Sequence, residues 1–220
     1  MPRSPRPPSP RRTIPPRPDA GPAAKIPFVG LTGALGAGKS TALEALQRLG
    51  AAVLSTDAVV HELYASPELR DIVVARWGED VAPGGVVDRA AIATRAFAAP
   101  DERAWLESEI WPRVGARIAV WREEVGAREP RPPAAVVETP LLFEAGMEGL
   151  YDATVAVIAD EAIRAQRAGA RGHVGVDERA ARQLPQEEKA RRATYTVSNS
   201  GTIEQLEREL SGLLASLNSR

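Results

Sequence analysis

Residues 33–40 of the chain read GALGAGKS and fit the pattern G-x-x-x-x-G-K-[ST] at every specified position. The apolar run 26–31 before the motif predicts a buried strand, and the leucine spacing over residues 40–49 predicts an amphipathic helix after it. A strand, a glycine-rich turn and a helix in this order are typical of a loop that binds the phosphates of a nucleotide. The stretch therefore predicts a nucleotide site within a fold that contains a parallel sheet.

Each part of this motif has a physical role. Glycines let the backbone turn so that successive N–H groups converge on phosphate oxygens, and the start of the helix adds the positive end of its dipole. Lys39, one of only three lysines in the chain, is predicted to neutralise the β- and γ-phosphates, and Ser40 to ligate Mg²⁺. The predicted nucleotide-binding residues of this stretch are Gly33, Gly36, Ala37, Gly38, Lys39, Ser40 and Thr41.

The composition excludes several other kinds of site. The 220 residues include no cysteine, which excludes disulfides, thiol nucleophiles and cysteine-based zinc sites. The only histidines, His61 and His173, leave little room for a histidine-built metal centre, and both are predicted to lie at the surface. No apolar run approaches the roughly 20 residues that span a bilayer, so we expect a cytoplasmic protein without membrane contact.

The rest of the chain alternates between predicted strands and helices. Further buried strands are predicted at residues 51–54, 134–138 and 154–159, and a final helix begins with a capping box of Thr202 and Gln205. This alternation favours an α/β fold in which helices cover both faces of a parallel sheet. The expected fold class is therefore α/β with three layers.

Two helical stretches interrupt the alternation of the domain predicted over residues 25–220. From about 60 to 130 strand patterns vanish, which predicts a helical insertion that binds the phosphate acceptor. Pro112 is expected to kink or break the helix predicted over 101–126. Residues 160–194 form a second helical stretch, rich in arginine, which we expect to be a lid that excludes water from the site.

Residues 1–24 differ from the rest of the chain. They contain nine prolines, five arginines and a single aspartate, a net charge of +4, so that the remaining 196 residues carry −5 of the overall −1. A segment with so little to bury is predicted to be a disordered tail with polyproline II character. We consider it to be either a basic arm that contacts nucleic acid or a ligand for a proline-binding module. The plainer alternatives are a variable extension and a start codon assigned too early.

A phosphate-binding loop does not by itself choose between a kinase, a GTPase and a motor protein. The D-x-x-G and N-K-x-D motifs of a GTPase do not occur in the chain, and the chain is too short for most mechanical ATPases. The two helical stretches suit a small-molecule kinase, in which one holds the acceptor and the other closes over the donor. The expected fold class is therefore a three-layer P-loop kinase fold with an inserted helical substrate-binding region and a helical lid.

Further segments make the chain similar to one family, the dephospho-CoA kinases. The resemblance runs from about residue 27 to residue 217. It rests on FVGLTG at 28–33, LGA at 49–51, Asp57, DR at 88–89, PLLFE at 140–144, R-x-x-x-R at 167–171, Gln183 and NSG at 199–201. It implies phosphorylation of the ribose 3′-hydroxyl of dephospho-CoA by ATP with Mg²⁺, the last step of coenzyme A synthesis, in a protein expected to be a monomer that does not bind nucleic acid.

The resemblance also implies roles for individual residues. Asp57 corresponds to the catalytic base, Lys39 and Arg167 to groups that stabilise the transferring phosphoryl group, and Arg171 and Asn199 to residues near ATP. Asp57, Arg89 and Glu144 are implied on the acceptor side, and Glu138 at the end of a strand could hold a water of Mg²⁺.

Each of these roles has a plainer alternative in the residues themselves. Asp57 could cap the following helix, Arg89 could pair with Asp88, and the lid arginines could lie on a solvated helix face. Glu144 could instead satisfy backbone N–H groups, and Asn199 could only shape a turn. Arg164 is predicted to be a surface residue, and Trp105, Trp111 and Trp121 to pack in the core of the insertion.

Two positions depart from the family pattern. Ser55 stands where the family usually has the first aspartate of D-A-D, and Trp111 precedes Pro112 where the family often has histidine. An indole cannot exchange a ring proton as an imidazole does, so an acceptor contact at Trp111 is not carried over. The alternatives to the family function are another nucleoside, nucleotide or shikimate kinase, and a nucleotide-binding regulator without catalytic activity.

Overall fold

The structure is a computed structural model that describes residues 25–170 and 183–219. Its centre is a sheet of five parallel strands in the order β2-β3-β1-β4-β5. The strands are β1 (Phe28–Gly33), β2 (Ala52–Ser55), β3 (Ala135–Glu138), β4 (Ala153–Ile158) and β5 (Tyr195–Ser198). The helices are α1 (Lys39–Arg48), α2 (Thr56–Tyr64), α3 (Pro67–Trp77), α4 (Arg89–Ala98), α5 (Pro100–Gly126), α6 (Glu161–Ala170), α7 (Gln186–Arg192) and α8 (Ile203–Asn218).

Helices cover both faces of the sheet, which confirms the predicted α/β class. On one face, leucines of α1 and α8 pack against Val29, Leu31, Val155 and Val157 of the central strands. On the other face, Trp121 and Val125 at the end of α5 pack against residues of β1, β2 and β3. Because both faces are buried, all six residues of β1 are buried, as expected for a central parallel strand.

Helices α2 to α5 follow one another without a strand and have an apolar core of their own. Val59 of α2, Leu69 and Val73 of α3, Ile92 of α4 and Ile110 of α5 are buried in it. This separate core explains why apolar residues recur at helical spacing over the stretch between β2 and β3.

Helix α5 continues through Pro112, so of the predicted kink or break the break is wrong, and the kink stays a prediction. Proline removes one helical hydrogen bond, but apolar side chains on both sides of it are held by packing. Ile110 lies in the core of the insertion, and Trp121 packs against the sheet. The guanidinium of Arg113 also donates to the carbonyl of Glu109, 2.6 Å away, close to the missing bond.

Strand β5 was not predicted from the sequence. It lies at the edge of the sheet, and of its four residues Tyr195–Ser198 only Val197 is fully buried. An edge strand with three exposed or partly exposed polar residues lacks the apolar run that marks the central strands. The predicted disordered segment 1–24 and His173 lie outside the described residues.

Candidate active site

The phosphate-binding loop connects β1 to α1, as predicted. Gly36 and Gly38 have φ angles of 77° and 86°, in the left-handed region that only glycine adopts at low cost. Gly38 is the N-cap of α1; among the described residues no side chain caps this helix, and its first turn contains no acidic residue. The N–H groups of this turn and the positive end of the helix dipole are therefore available to an anion.

Asn199 stabilises this loop from the far end of the chain. Its side-chain Nδ2 donates to the Ala37 carbonyl at 2.9 Å, and its own backbone N–H donates to Ile158 at the end of β4. A Cβ atom at Gly38 would lie 1.9 Å from this Nδ2, so the approach of Asn199 also requires glycine there. Asn199 is buried, and it contacts the loop rather than only shaping a turn; its proximity to adenine stays a prediction.

Arg167 of α6 lies beside the same residues. Its Nη1 donates to the backbone carbonyl of Asn199 at 3.1 Å, and the same atom is 3.4 Å from where a Cβ of Gly38 would be. The structure therefore brings this lid arginine to the phosphate-binding loop. Arg171 lies outside the described residues.

Leu35, at the tip of the loop, is bonded by two side chains from the lid segment. Its N–H donates to Gln183 Oε1 at 2.9 Å, and its carbonyl accepts from Arg164 Nε at 3.2 Å. Arg164 was predicted to lie at the surface, but its side chain is only 19% exposed. Its spacing of three residues from Arg167 was the signal that could have placed it on the same face of the helix.

We predict that Gln183→Ala raises the KM for ATP about two- to tenfold, the range expected for one lost hydrogen bond to the loop. The KM for the acceptor should stay unchanged, because the bond lies on the nucleotide side. Initial-rate kinetics with each substrate varied in turn measure both values. Gln166→Ala is the matched control because Gln166 is exposed on the same lid, and an equal effect of both variants would contradict the role of Gln183.

Asp57 lies at the carboxyl end of β2, in the first turn of α2, and is exposed. The N-cap of α2 is Ser55, not Asp57, so the capping alternative for Asp57 is wrong. Open α/β sheets bind their ligands at these strand ends. The carboxylate is therefore accessible to a bound acceptor.

Glu138 lies between Asp57 and the phosphate-binding loop, because β3 separates β2 from β1 in the sheet. It is buried and paired in register with Ser55, whose hydroxyl donates to Glu138 Oε2 at 2.9 Å. The departure at Ser55 thus has a local explanation: serine donates a hydrogen bond to the carboxylate, whereas aspartate would place a second negative charge beside it.

Arg89, at the first position of α4, contacts α2. Its Nη1 lies 3.1 Å from Nδ1 of His61, one helical turn after Asp57. The carboxylate of Asp88 accepts from the N–H groups of Ala90 and Ala91 and caps α4. Within the described residues, no hydrogen bond or ion pair joins it to Arg89. Asp57 and Arg89, both predicted to bind the phosphate acceptor, thus lie on helices that contact each other.

Glu144 accepts a hydrogen bond from a backbone N–H group, which is one of the two roles predicted for it. Its Oε1 accepts from the Leu184 N–H at 2.8 Å and from Lys189 Nζ at 2.9 Å. Sequence reasoning missed Lys189, which is fully buried. Of the tryptophans predicted to be core, Trp121 is buried and Trp105 packs edge-on against Trp77, but Trp111 is 39% exposed.

The site suits a metal held mainly by a nucleotide rather than by the protein. The described part of the chain contains no group of three or more histidine, aspartate or glutamate residues that could hold a metal ion. Mg²⁺ commonly binds through one or two protein oxygens and substrate phosphates. The exposed Ser40 and the carboxylate of Glu138 offer such oxygen donors. Over residues 25–170 and 183–219 no helix is long and apolar enough to cross a membrane.

Comparison with known proteins identifies relatives over most of the chain. The sequence model described as dephospho-CoA kinase matches residues 27–205. A dephospho-CoA kinase of Deinococcus radiodurans is 41% identical over 193 residues, which cover 86% of this chain and 91% of the relative. A dephospho-CoA kinase of Anaeromyxobacter dehalogenans is 38% identical over 86% of this chain and 91% of the relative.

Solved structures show the same architecture. A crystal structure of a Thermus thermophilus protein, 35% identical, superposes with a TM-score of 0.71 over 87% of this chain and 98% of its own. The dephospho-CoA kinase of Campylobacter jejuni, 20% identical, superposes with a TM-score of 0.60 over 88% of this chain and 98% of its own. The second likeness concerns the fold alone and confirms the predicted P-loop kinase fold.

Proposed function

The chain belongs to the dephospho-CoA kinase family, an enzyme family of coenzyme A biosynthesis that phosphorylates dephospho-CoA with ATP, and we propose that it uses Asp57, Lys39 and Arg167 for this transfer. The proposed acceptor atom is the ribose 3′-hydroxyl. The observation that carries the proposal is the placement of the phosphate-binding loop and Asp57 at the ends of β1 and β2, on either side of Glu138. Donor and acceptor can meet across this gap.

On the donor side, the loop binds the phosphates of ATP through its backbone N–H groups. The ammonium of Lys39 and the guanidinium of Arg167 stabilise the negative charge that spreads over the transferring phosphoryl group. Arg167 suits this role because its contact with Asn199 already holds it beside Gly38. Arg171, four residues further along the lid, is proposed to assist in binding ATP.

On the acceptor side, Asp57 accepts the proton of the attacking hydroxyl as the new O–P bond forms and the bond to ADP breaks. Arg89 is proposed to bind an acidic group of dephospho-CoA, since this exposed residue of α4 contacts His61, which lies one turn after Asp57 on α2. Glu144 is proposed to support the acceptor side through the Leu184 and Lys189 contacts described above.

Mg²⁺ is the proposed metal, bound with ATP. Ser40 would hold it directly and Glu138 through water, and its charge would offset that of the β- and γ-phosphates. The protein groups orient the reactants and supply charge, because a loose phosphoryl transition state needs little covalent help. We also expect a monomer that acts in the cytoplasm without a membrane or nucleic-acid partner.

An acceptor panel with ATP tests the proposed function. We expect the full-length protein to form CoA and ADP from dephospho-CoA, measured by chromatography, with no comparable turnover of nucleosides, nucleotides or shikimate. Preferred turnover of one of those acceptors would assign the other kinase activity. Nucleotide binding without turnover of any acceptor would indicate a non-catalytic regulator.

A further inference from the structure

Lys189 is a buried cation for which the proposed reaction has no direct use. It lies on α7, near the end of the stretch 160–194 that was predicted to be the lid, and its side chain is fully buried. Burial lowers the pKa of its ammonium group below the ordinary lysine value, and the hydrogen bond and charge of Glu144 oppose that shift. A buried ammonium group needs hydrogen-bond acceptors for all of its N–H donors.

The ammonium group has three N–H donors, and the structure offers three acceptors on two segments of the chain. Nζ lies 2.9 Å from Glu144 Oε1, 2.7 Å from the carbonyl of Pro140 and 3.4 Å from Thr32 Oγ1. Thr32 lies on β1 immediately before the phosphate-binding loop. One side chain thus connects α7, β1 and the segment 140–144 after β3.

The segment after β3 leaves the sheet between the two groups that the proposed reaction brings together. Because β3 lies between β1 and β2, the chain that leaves it at Glu138 passes between the phosphate-binding loop and Asp57. The carbonyl of Pro140 accepts from Thr32 Oγ1 as well as from Lys189, which holds this turn against β1. A small displacement of the turn would change the distance between donor and acceptor groups.

We propose that Lys189 is a positioning residue for phosphoryl transfer, which holds the turn at Pro140 between the nucleotide loop and the catalytic base. It touches neither substrate; it acts through the carbonyl of Pro140 and the hydroxyl of Thr32. The inference rests on the proposed function for the location of the reacting groups. Its effect should fall on kcat rather than on ATP affinity.

Two variants separate positioning from charge balance. Lys189→Met leaves the buried carboxylate of Glu144 without its cation, so it should lower both Tm and kcat. Lys189→Met with Glu144→Gln removes both charges, and the glutamine oxygen can still accept from Leu184. We expect this double variant to recover Tm while kcat stays about tenfold or more below wild type and the KM for ATP is unchanged.

Recovery of kcat together with Tm in the double variant would overturn the proposal, because Lys189 would then only neutralise Glu144. Lys25→Met is the matched control, since Lys25 forms an exposed pair with Asp152; it should leave kcat unchanged. The ratio of variant to wild-type kcat is measured on whichever acceptor the wild type phosphorylates. Failure of dephospho-CoA as a substrate therefore appears in the wild type alone, and failure of the positioning role appears in the ratio.

A second measurement decides the matter if the double variant does not recover Tm. The chain contains no cysteine, so Lys189→Cys carries a single thiol that can be aminoethylated in denaturant and refolded to place an ammonium at the same reach. We expect the aminoethylated protein to regain most of the wild-type kcat and the ethylated, uncharged product to remain low. Equal kcat for the two products would overturn the role of the ammonium group.

Hydrogen exchange gives a readout that needs no substrate. Residues 139–147 form a turn through backbone bonds such as Leu142 to Thr139 and Met147 to Leu142. In the double variant we expect faster amide exchange in peptides covering this turn and unchanged exchange over α8, which lies on the opposite face of the sheet. Unchanged exchange at the turn would contradict the proposal.

Discussion

Lys39→Ala should lower kcat for the phosphorylation of dephospho-CoA by at least about 10³-fold, the size of effect seen when a preorganised group that stabilises transition-state charge is removed. Lys39 begins α1, directly after the glycine loop, so we expect its ammonium to lie next to the phosphates of bound ATP. No other lysine in the described residues can replace it, since Lys25 pairs with Asp152 and Lys189 is buried behind β1.

The measurement is the steady-state rate of ADP and CoA formation at saturating substrates, with Tm recorded for each variant. Lys25→Ala is the control for loss of a lysine elsewhere and should keep wild-type kcat. A Lys39→Ala enzyme that retained wild-type kcat with normal Tm would overturn the assignment of the loop to ATP.

Asp57→Asn should lower kcat about 10²–10⁴-fold, the usual contribution of a positioned acid or base, while the Kd for ATP stays unchanged. An amide keeps the shape of the side chain but cannot take the proton of the ribose hydroxyl. Because Ser55 and not Asp57 is the N-cap of α2, the loss should not come from an unravelled helix.

Asp101→Asn is the matched control for this variant. Asp101 is also an exposed carboxylate in the first turn of a helix, α5, where it interacts favourably with the helix dipole. Calorimetry should show similar, small losses of Tm in both variants, and only Asp57→Asn should lose kcat. If the two variants matched in both Tm and kcat, the carboxylate of Asp57 would have only the helix-dipole role.

The central strands and the first helix were predictable because their signals are local. Strand β1 is buried on both faces and reads as a run of apolar and small residues, and the glycines after it announce a turn before the next helix. The bounds predicted for β2, β3 and β4 differ from those in the structure by only a residue or two. Strand β5 was missed because an edge strand buries only Val197 and leaves no such run.

The candidate site was predictable residue by residue but not contact by contact. The motif and the family resemblance selected Lys39, Asp57 and Arg167, and the fold places them at one edge of the sheet. The partners of these residues were not visible in the pattern. Arg164 was expected at the surface and instead binds the loop at Leu35. For Glu144 the sequence was equally compatible with a contact to the acceptor and with a hydrogen bond inside the protein.

The sequence alone was sufficient for the nucleotide loop, because consecutive residues create it: backbone N–H groups converge wherever glycines allow the turn, whatever the rest of the chain does. The lysines show what the sequence alone could not predict. The motif selected Lys39, but nothing near Lys189 in the chain marks it, since its partners Thr32 and Pro140 are 157 and 49 residues away. Only folding of the sheet brings those groups together. Because the ammonium of Lys189 is buried there, it needs their oxygens in place of water as hydrogen-bond acceptors.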